Sequence, residues 1–337
     1  MDVLNKSALY DCLDFVPGYT FGLLFMSCFS SIVGCCVIFW TYLKLPVIRT
    51  FSRRLLLFLS AADFLNAAGN LIGGVRYMFL ERTVSPCTNL NHSDAVCIAQ
   101  SYITTSASMA SFFWTSAIAI YILCQQLRVQ TGISSAMGLI YYNLVCTGIP
   151  VIITSVAIGM DVLGANNSVG TGGWCWIRSS LSNRTQTVWM LLAGKFWEIA
   201  CYLLTALVFV IAKYCKLNEK AQDDDAPRNS TNMDNSEIRP QNNKILYYCI
   251  SLYMLRLWGT VRFFIAIVSG NIDSVEISLT QKVLLIMQSI GDSWQGFWNF
   301  FVFCLLDDVV RDYICACCRS CRSGSPRIEE LEPILQE

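Results

Sequence analysis

The sequence has 337 residues, of which 54% are hydrophobic, 12% aromatic and only 14% charged, against roughly a quarter charged in an ordinary soluble domain. Mean hydropathy is +0.48, and seven spans of about 23 residues would take up close to half the chain, so the composition excludes a soluble globular protein and suits a polytopic helical one with short loops. Lysine plus arginine number 24, aspartate plus glutamate 24, and His92 is the one histidine; balanced charge removes the case for nucleic-acid binding, and a lone histidine argues against His-cluster metal sites and Ser-His or Cys-His catalysis.

The first 17 residues hold Asp2, Asp11 and Asp14 but only Lys6. Without a basic region ahead of an apolar core they do not read as a cleavable signal, so the first span is expected to serve as its own insertion signal. Seven apolar runs follow at 18–42, 55–77, 99–127, 136–158, 187–214, 245–268 and 282–306, each long enough to cross about 30 Å of hydrocarbon. The third opens with small and hydroxylated residues at 101–111, which points to a helix buried among others. Between the fifth and sixth runs, 215–244 is polar and rich in Asp and Asn, the composition of a flexible loop. After the seventh, Val309, Val310, Tyr313 and Ile314 form an apolar stripe at helical spacing, which predicts a short amphipathic helix on the membrane surface within the tail 307–337. The expected fold is all-α: a seven-transmembrane helix bundle over 18–306, preceded by a short extracellular segment 1–17.

Orientation follows from two counts. Lys44, Arg49, Arg53, Arg54, Arg128, Lys216, Lys220, Arg228, Arg239, Lys244, Arg311, Arg319, Arg322 and Arg327 collect on one side, against Lys6, Arg82, Arg178 and Arg184 on the other. The positive-inside rule then places the N-terminus outside and the C-terminus in the cytosol. Asn5, Asn91, Asn166 and Asn183 each open an N-x-S/T sequon in an expected external segment, which makes them N-glycosylation candidates.

Of 17 cysteines, Cys12, Cys87, Cys97 and Cys175 fall in expected external segments, where disulfides persist. Their pairing cannot be read from spacing; Cys12 and Cys87 are as consistent with free thiols as with a bridge. Cys315, Cys317, Cys318 and Cys321 sit beside the membrane in the tail and are candidates for S-palmitoylation. A zinc site there would be cramped and would lack a histidine. No metal, cofactor or catalytic residue is assigned.

Asp63, Lys195, Glu198, Arg256, Arg262 and Asp292 lie inside the runs. An ionised side chain at mid-bilayer costs about 2.5–3.5 kcal/mol on insertion scales, so each is expected to face the bundle interior with a partner. Lys195 and Glu198, three apart, share a helix face. Asp63, Arg256 and Asp292 are assigned to an intramembrane polar core, either as structural inter-helix pairs or as pairings that differ between two conformations.

Five blocks, "RRLLLFLSAADFLNA" (53–67), "SFFWTSAIAIY" (111–121), "GWCWI" (173–177), "WMLLAGKFWE" (189–198) and "LRLWGTVRF" (255–263), resemble the orphan G-protein coupled receptor 157 group, which is similar in turn to the slime-mould cyclic AMP receptors. The resemblance runs from about Arg53 to Cys321 with order and spacing kept. It implies a seven-helix receptor on the plasma membrane, a disulfide from Cys97 to Cys175, and a heterotrimeric G protein as partner. It also suggests the Gq class, phosphoinositide–calcium output and a ciliary location. The Asp-Arg-Tyr and Asn-Pro-x-x-Tyr motifs of rhodopsin-like receptors are missing; "CQQLRV" (124–129) and "NFFVFCLL" (299–306) stand in their places. With only a short segment before the first span, an agonist is expected to be a small molecule, lipid or short peptide at the outer bundle, with Trp189, Lys195, Glu198 and Arg262 as candidate contacts. Resemblance alone does not make that agonist cyclic AMP. Gln126, Leu127, Arg128, Lys213 and Lys244, at inner helix ends, are candidate G-protein contacts. The competing reading is a seven-span transporter or channel, but the sequence has no internal repeat, and Pro150 is the one proline placed within a span.

Overall fold

The computed structural model describes residues 18–83, 94–127, 129, 136–165, 174–225, 254–268 and 279–323. Helix α1 is Gly18–Lys44, α2 is Phe51–Thr83 and α3 is Ala95–Gln126. Helix α4 consists of Ala136–Asn143, a π turn at Leu144–Gly148 and Ile149–Gly159, and α5 of Asn183–Met190, a π turn at Leu191–Lys195 and Phe196–Asp225. Helix α6 occupies 254–268; the first part of its expected span lies outside the described residues. Helix α7 comprises Leu279–Gly291, Gln295–Phe300 and a π turn at Phe301–Leu305, and α8 is Asp308–Ser323. Among the described residues, α1 to α5 each contain a stretch long and apolar enough to cross a membrane: Thr20–Lys44, Phe51–Phe79, Ala95–Gln126, Met137–Gly159 and Asn183–Cys215.

Helix α3 lies at the centre. Its hydroxylated early turns are buried at Ser101, Thr104, Thr105 and Ser111; Ser101 bonds back to the Ile98 carbonyl and Thr104 to that of Gln100. Lower on the same helix, Trp114 is 1% exposed and stacks on Phe58 of α2 with ring centroids 4.9 Å apart. Leu56, Leu59, Ile118, Val302 and Phe303 complete that core. Burial there contributes through close packing, since lipid tails are as apolar as leucine and give no hydrophobic drive between helices.

Two features depart from the all-α, seven-continuous-span expectation. Between α4 and α5, β1 (Leu163–Gly164) pairs antiparallel with β2 (Trp176–Ile177), Leu163 opposite Ile177 and Gly164 opposite Trp176. Asp161, with φ at 58°, turns the chain into this hairpin, and its carboxylate meets Arg178 at 2.5 Å. Second, the run 282–306 is not one helix, because α7 breaks at Asp292–Trp294. Gly291, Asp292 and Ser293 are poor helix formers, and Asp and Ser compete for backbone bonds. The break is held from α2: Asn66 donates to the Asp292 carbonyl at 2.8 Å, and Asn70 to the Ser293 hydroxyl at 3.0 Å.

The opposite end of α7 turns sharply into α8. Asp307 caps the new helix, accepting from the Val310 N–H at 3.3 Å, and binds Arg53 of α2 at 2.6 Å. Arg53 also donates to the Phe303 carbonyl at 2.7 Å. Val310, Tyr313, Ile314 and Cys317 pack against the main core, whereas Val309, expected in the same stripe, is 43% exposed. The inner face of α8 is thus seated on protein.

Two substitutions test this architecture. Asp307→Asn keeps an oxygen for the cap but removes the charge facing Arg53, and should lower stability by about 1.5–3 kcal/mol, read as an earlier thermal transition of purified protein. Gly291→Ala would put a Cβ 1.7 Å from the Leu255 carbonyl oxygen of α6, backbone that cannot rotate away. Overpacking of that kind costs about 1–3 kcal/mol or more. Gly22→Ala, with nothing within 4 Å, should melt like wild type.

Candidate functional site

A cavity of ≈ 80 Å³ lies among α2, α3, α5, α6 and α7, beneath Trp174 and Trp176 of the α4–α5 segment. The roof is fastened at several points. Cys97, in the first turn of α3, is disulfide-bonded to Cys175 with Cα atoms 5.6 Å apart. Asp94 caps α3 by accepting from the Cys97 N–H at 2.7 Å and pairs with Arg76 of α2 at 2.9 Å. Gln100 accepts from the Cys175 N–H at 2.8 Å. Gly73 lets Trp174 descend onto α2, since a Cβ there would lie 2.8 Å from that of Trp174.

On the α5 wall, the π turn at Leu191–Lys195 ends at a buried ion pair, Lys195 Nζ to Glu198 Oε2 at 2.7 Å. Glu198 takes two further bonds. Its Oε1 accepts from Tyr202 at 2.6 Å and from Thr260 of α6 at 2.7 Å, so one carboxylate joins α5 to α6. Arg256, only 3% exposed, donates Nη1 to Ser108 of α3 at 2.9 Å and lies over the Phe112 ring at 5.0 Å. On α7, Gln288 donates to Asp292 Oδ2 at 3.1 Å and accepts from Arg262 at 2.6 Å.

Asp63 forms a separate node deeper in the bundle. Ser111 of α3 donates to Oδ1 at 2.6 Å, and Asn299 of α7 to Oδ2 at 2.7 Å. Its partners are neutral. The expected polar core is therefore split: Arg256 and Asp292 line the cavity, and Asp63 does not.

Of the four candidate ligand contacts, the cavity takes Lys195 and Glu198. Trp189 instead packs with Leu163, Ile177 and Phe263, and Arg262 is engaged with Gln288 and, at 3.4 Å, Gln281. Asn66, Asn70, Thr104, Ser108 and Gln288 line the cavity without having been singled out; they are uncharged, and only a polar residue at mid-span could have flagged them. At the other end of the bundle, Leu127 and Lys213 are exposed and Gln126 half-buried, while Arg128 and Lys244 fall outside the described residues. Cys315 is exposed and Cys317 half-buried on α8, with Cys318 and Cys321 on the same helix. Asn183 is exposed at the start of α5; Asn5, Asn91, Asn166, Cys12 and Cys87 lie outside the described residues.

With this geometry in hand, residues 17–231 match the family model described as slime mold cyclic AMP receptor. The chain belongs to this receptor family. Homo sapiens G-protein coupled receptor 157 is 30% identical over 303 residues, covering 87% of this chain and 82% of the relative. The Mus musculus counterpart is 29% identical over 318 residues, covering 93% and 90%. Dictyostelium discoideum cyclic AMP receptor-like protein B is 23% identical over 150 residues, 44% of this chain and 31% of that one. As a family member with several apolar spanning helices, the chain is a multi-pass membrane receptor of the G-protein coupled class.

The disulfide closes a segment of 78 residues, for which chain entropy gives about 4–5 kcal/mol of stabilisation. Non-reducing peptide mapping should recover Cys97 and Cys175 in one linked fragment. A paired Cys97→Ser, Cys175→Ser variant should melt well below wild type while retaining its helical circular dichroism.

Proposed function

We propose that this receptor carries an extracellular signal to heterotrimeric G proteins through seven spans, with the disulfide end of the bundle outside and α8 in the cytosol. The observation that carries the reading is a polar cavity with buried charges, set beneath a disulfide-anchored segment, in a chain of this family. Charged groups are expensive inside a bilayer and mark binding or switching sites. The basic-residue asymmetry and the sequons at Asn5, Asn91, Asn166 and Asn183 support the orientation. The unit then consists of an external segment 1–17, a receptor domain 18–306 whose loop 215–244 is cytosolic, and a tail 307–337.

The agonist is a small molecule, lipid or short peptide reaching the cavity from the roofed end, with Lys195 and Glu198 on its wall. The G protein docks at the opposite end around Gln126, Leu127, Arg128, Lys213 and Lys244, where a basic surface suits a membrane-associated partner. The similarity to G-protein coupled receptor 157 supports the Gq class and a phosphoinositide–calcium output. The receptor works at the plasma membrane, including its ciliary extension, with α8 anchored by palmitate on Cys315, Cys317, Cys318 or Cys321.

Expressing the full chain with single G-protein subtypes, with and without tissue extracts, and recording calcium and cyclic AMP tests this. Calcium should rise with a Gq-class subunit, and Lys195→Met should change the response while surface expression persists. Response to no subtype, together with a solute flux or current, would overturn it.

A further inference from the structure

The charges around the cavity do not all close on one another. Lys195 and Glu198 neutralise each other at 2.7 Å, and Glu198 also accepts from Tyr202 and Thr260. That leaves one cation and one anion. Arg256 has one hydrogen bond, from Nη1 to the neutral Ser108 hydroxyl, and its Nε and Nη2, both buried, have no hydrogen-bond partner among the described residues. Asp292 receives one neutral bond, at Oδ2 from Gln288; its Oδ1 accepts from no described residue. The two side chains line the same cavity, yet no ion pair joins them among the described residues.

Such an arrangement is costly as it stands. Arg256 and Asp292 feel each other, and Asp292 also feels Lys195 and Arg262, only through space; a charge taken out of water without an opposite charge in hydrogen-bond contact forfeits several kcal/mol of hydration, and orphaned guanidinium N–H groups add to that cost. Guanidinium edges fit carboxylates, offering parallel N–H donors to two oxygens. The Phe112 ring covers the guanidinium face, which leaves the edge as the binding surface. A carboxylate such as Asp292, with an oxygen unclaimed, fits an ammonium. A ligand with one charge would satisfy one group and strand the other.

We propose that the cavity binds a small zwitterion, its carboxylate on the edge of Arg256 and its ammonium on Asp292. This deepens the reading of the cavity as the agonist site and rests on it. The cavity volume of ≈ 80 Å³ favours a compound of amino-acid size over a nucleotide or a peptide. The neutral side chains Asn66, Asn70, Thr104 and Ser108 supply hydrogen bonds around it, and Trp174 and Trp176 line its roof.

The test uses the full chain purified in lipid nanodiscs, with thermal melting as the binding readout. The probes are glycine, 3-aminopropanoate, 4-aminobutanoate and 5-aminopentanoate, with butanoate and butylamine as single-charge controls. At least one amino acid should raise the melting temperature saturably, and both controls should be at least about tenfold weaker. Arg256→Gln and Asp292→Asn should each cost the amino acid at least about tenfold in affinity. Butanoate matching the best amino acid would overturn the proposal in favour of a simple anion site. So would binding that survives Asp292→Asn, or the absence of a shift with every probe. If a variant does not fold, the comparison of amino acid, acid and amine on wild type still decides. Nucleotide exchange on a purified Gq-class heterotrimer separates the two levels. Binding without a change in exchange supports the zwitterion site and overturns its role as agonist site. Exchange that responds to tissue extract, with no probe binding, overturns the zwitterion alone.

Discussion

A polar group inside a hydrocarbon slab has no water to turn to, so each donor, acceptor or charge left without a partner in the bundle is costly. In this receptor that constraint explains which helices touch. The break in α7 exposes carbonyls and N–H groups that an intact helix would have satisfied. Asn66 and Asn70 of α2 occupy that gap, bonding to the Asp292 carbonyl and the Ser293 hydroxyl. Asp63 stands three residues before Asn66 and seven before Asn70, on the same helical face, and is bonded in turn to Asn299 beyond the break. The polar face of α2 thus fixes where α7 sits, and the cavity is the space left beside the break.

The third grip of α2 on α7 is of another kind. Arg53 binds the Phe303 carbonyl and the Asp307 carboxylate, a charge-assisted contact of about 1.5–3 kcal/mol against about 1 kcal/mol for each neutral bond at the break. It also sets the angle at which α8 leaves, because Asp307 caps that helix. The apolar stripe of α8 then meets Trp40 of α1, whose ring centroid is 5.5 Å from that of Tyr313. One ion pair therefore holds three helices in register at this end.

Much of the frame was legible in the sequence because lipid imposes a long apolar period that few other constraints imitate. The runs at 18–42, 55–77, 99–127, 136–158 and 187–214 coincide with α1 to α5 to within a few residues at most ends. The break in α7 was not legible, since Gly291-Asp292-Ser293 within an apolar run reads equally well as a tolerated polar patch; what decides is the position of Asn66 and Asn70 on another helix. Intramembrane charges stood out through their rarity, but their pairing depends on helix rotation. Lys195 with Glu198 could be read from a spacing of three on one helix. Arg256 with Ser108, or Trp189 turned into the cluster around Leu163, could not. The neutral cavity residues were hidden for a simpler reason: Asn, Thr and Gln in a span give a weak signal, and only convergence in space distinguishes them.

The distribution of bonds also bears on which helices can move. Helices α2, α7 and α8 are tied at three heights, one of them by an ion pair. Helices α5 and α6 meet α3 without an ion pair among the described residues, through Cys201 with Ser116 and the Phe112 carbonyl, Phe113 against Trp197, and Arg256 with Ser108 and the Phe112 ring. They are bound to each other by Glu198 and Thr260. Displacing α5 and α6 together breaks these contacts with α3 and also the Arg262 bond to Gln288 of α7, whereas displacing α7 against α2 would strip a guanidinium of its carboxylate. Arg256 joins α6 to α3 beside the cavity. A zwitterion bound as proposed, with its carboxylate on Arg256, would touch the α3–α6 contact at Ser108 directly, so whatever it does to the bundle it does through the difference in how it binds the two arrangements of that contact.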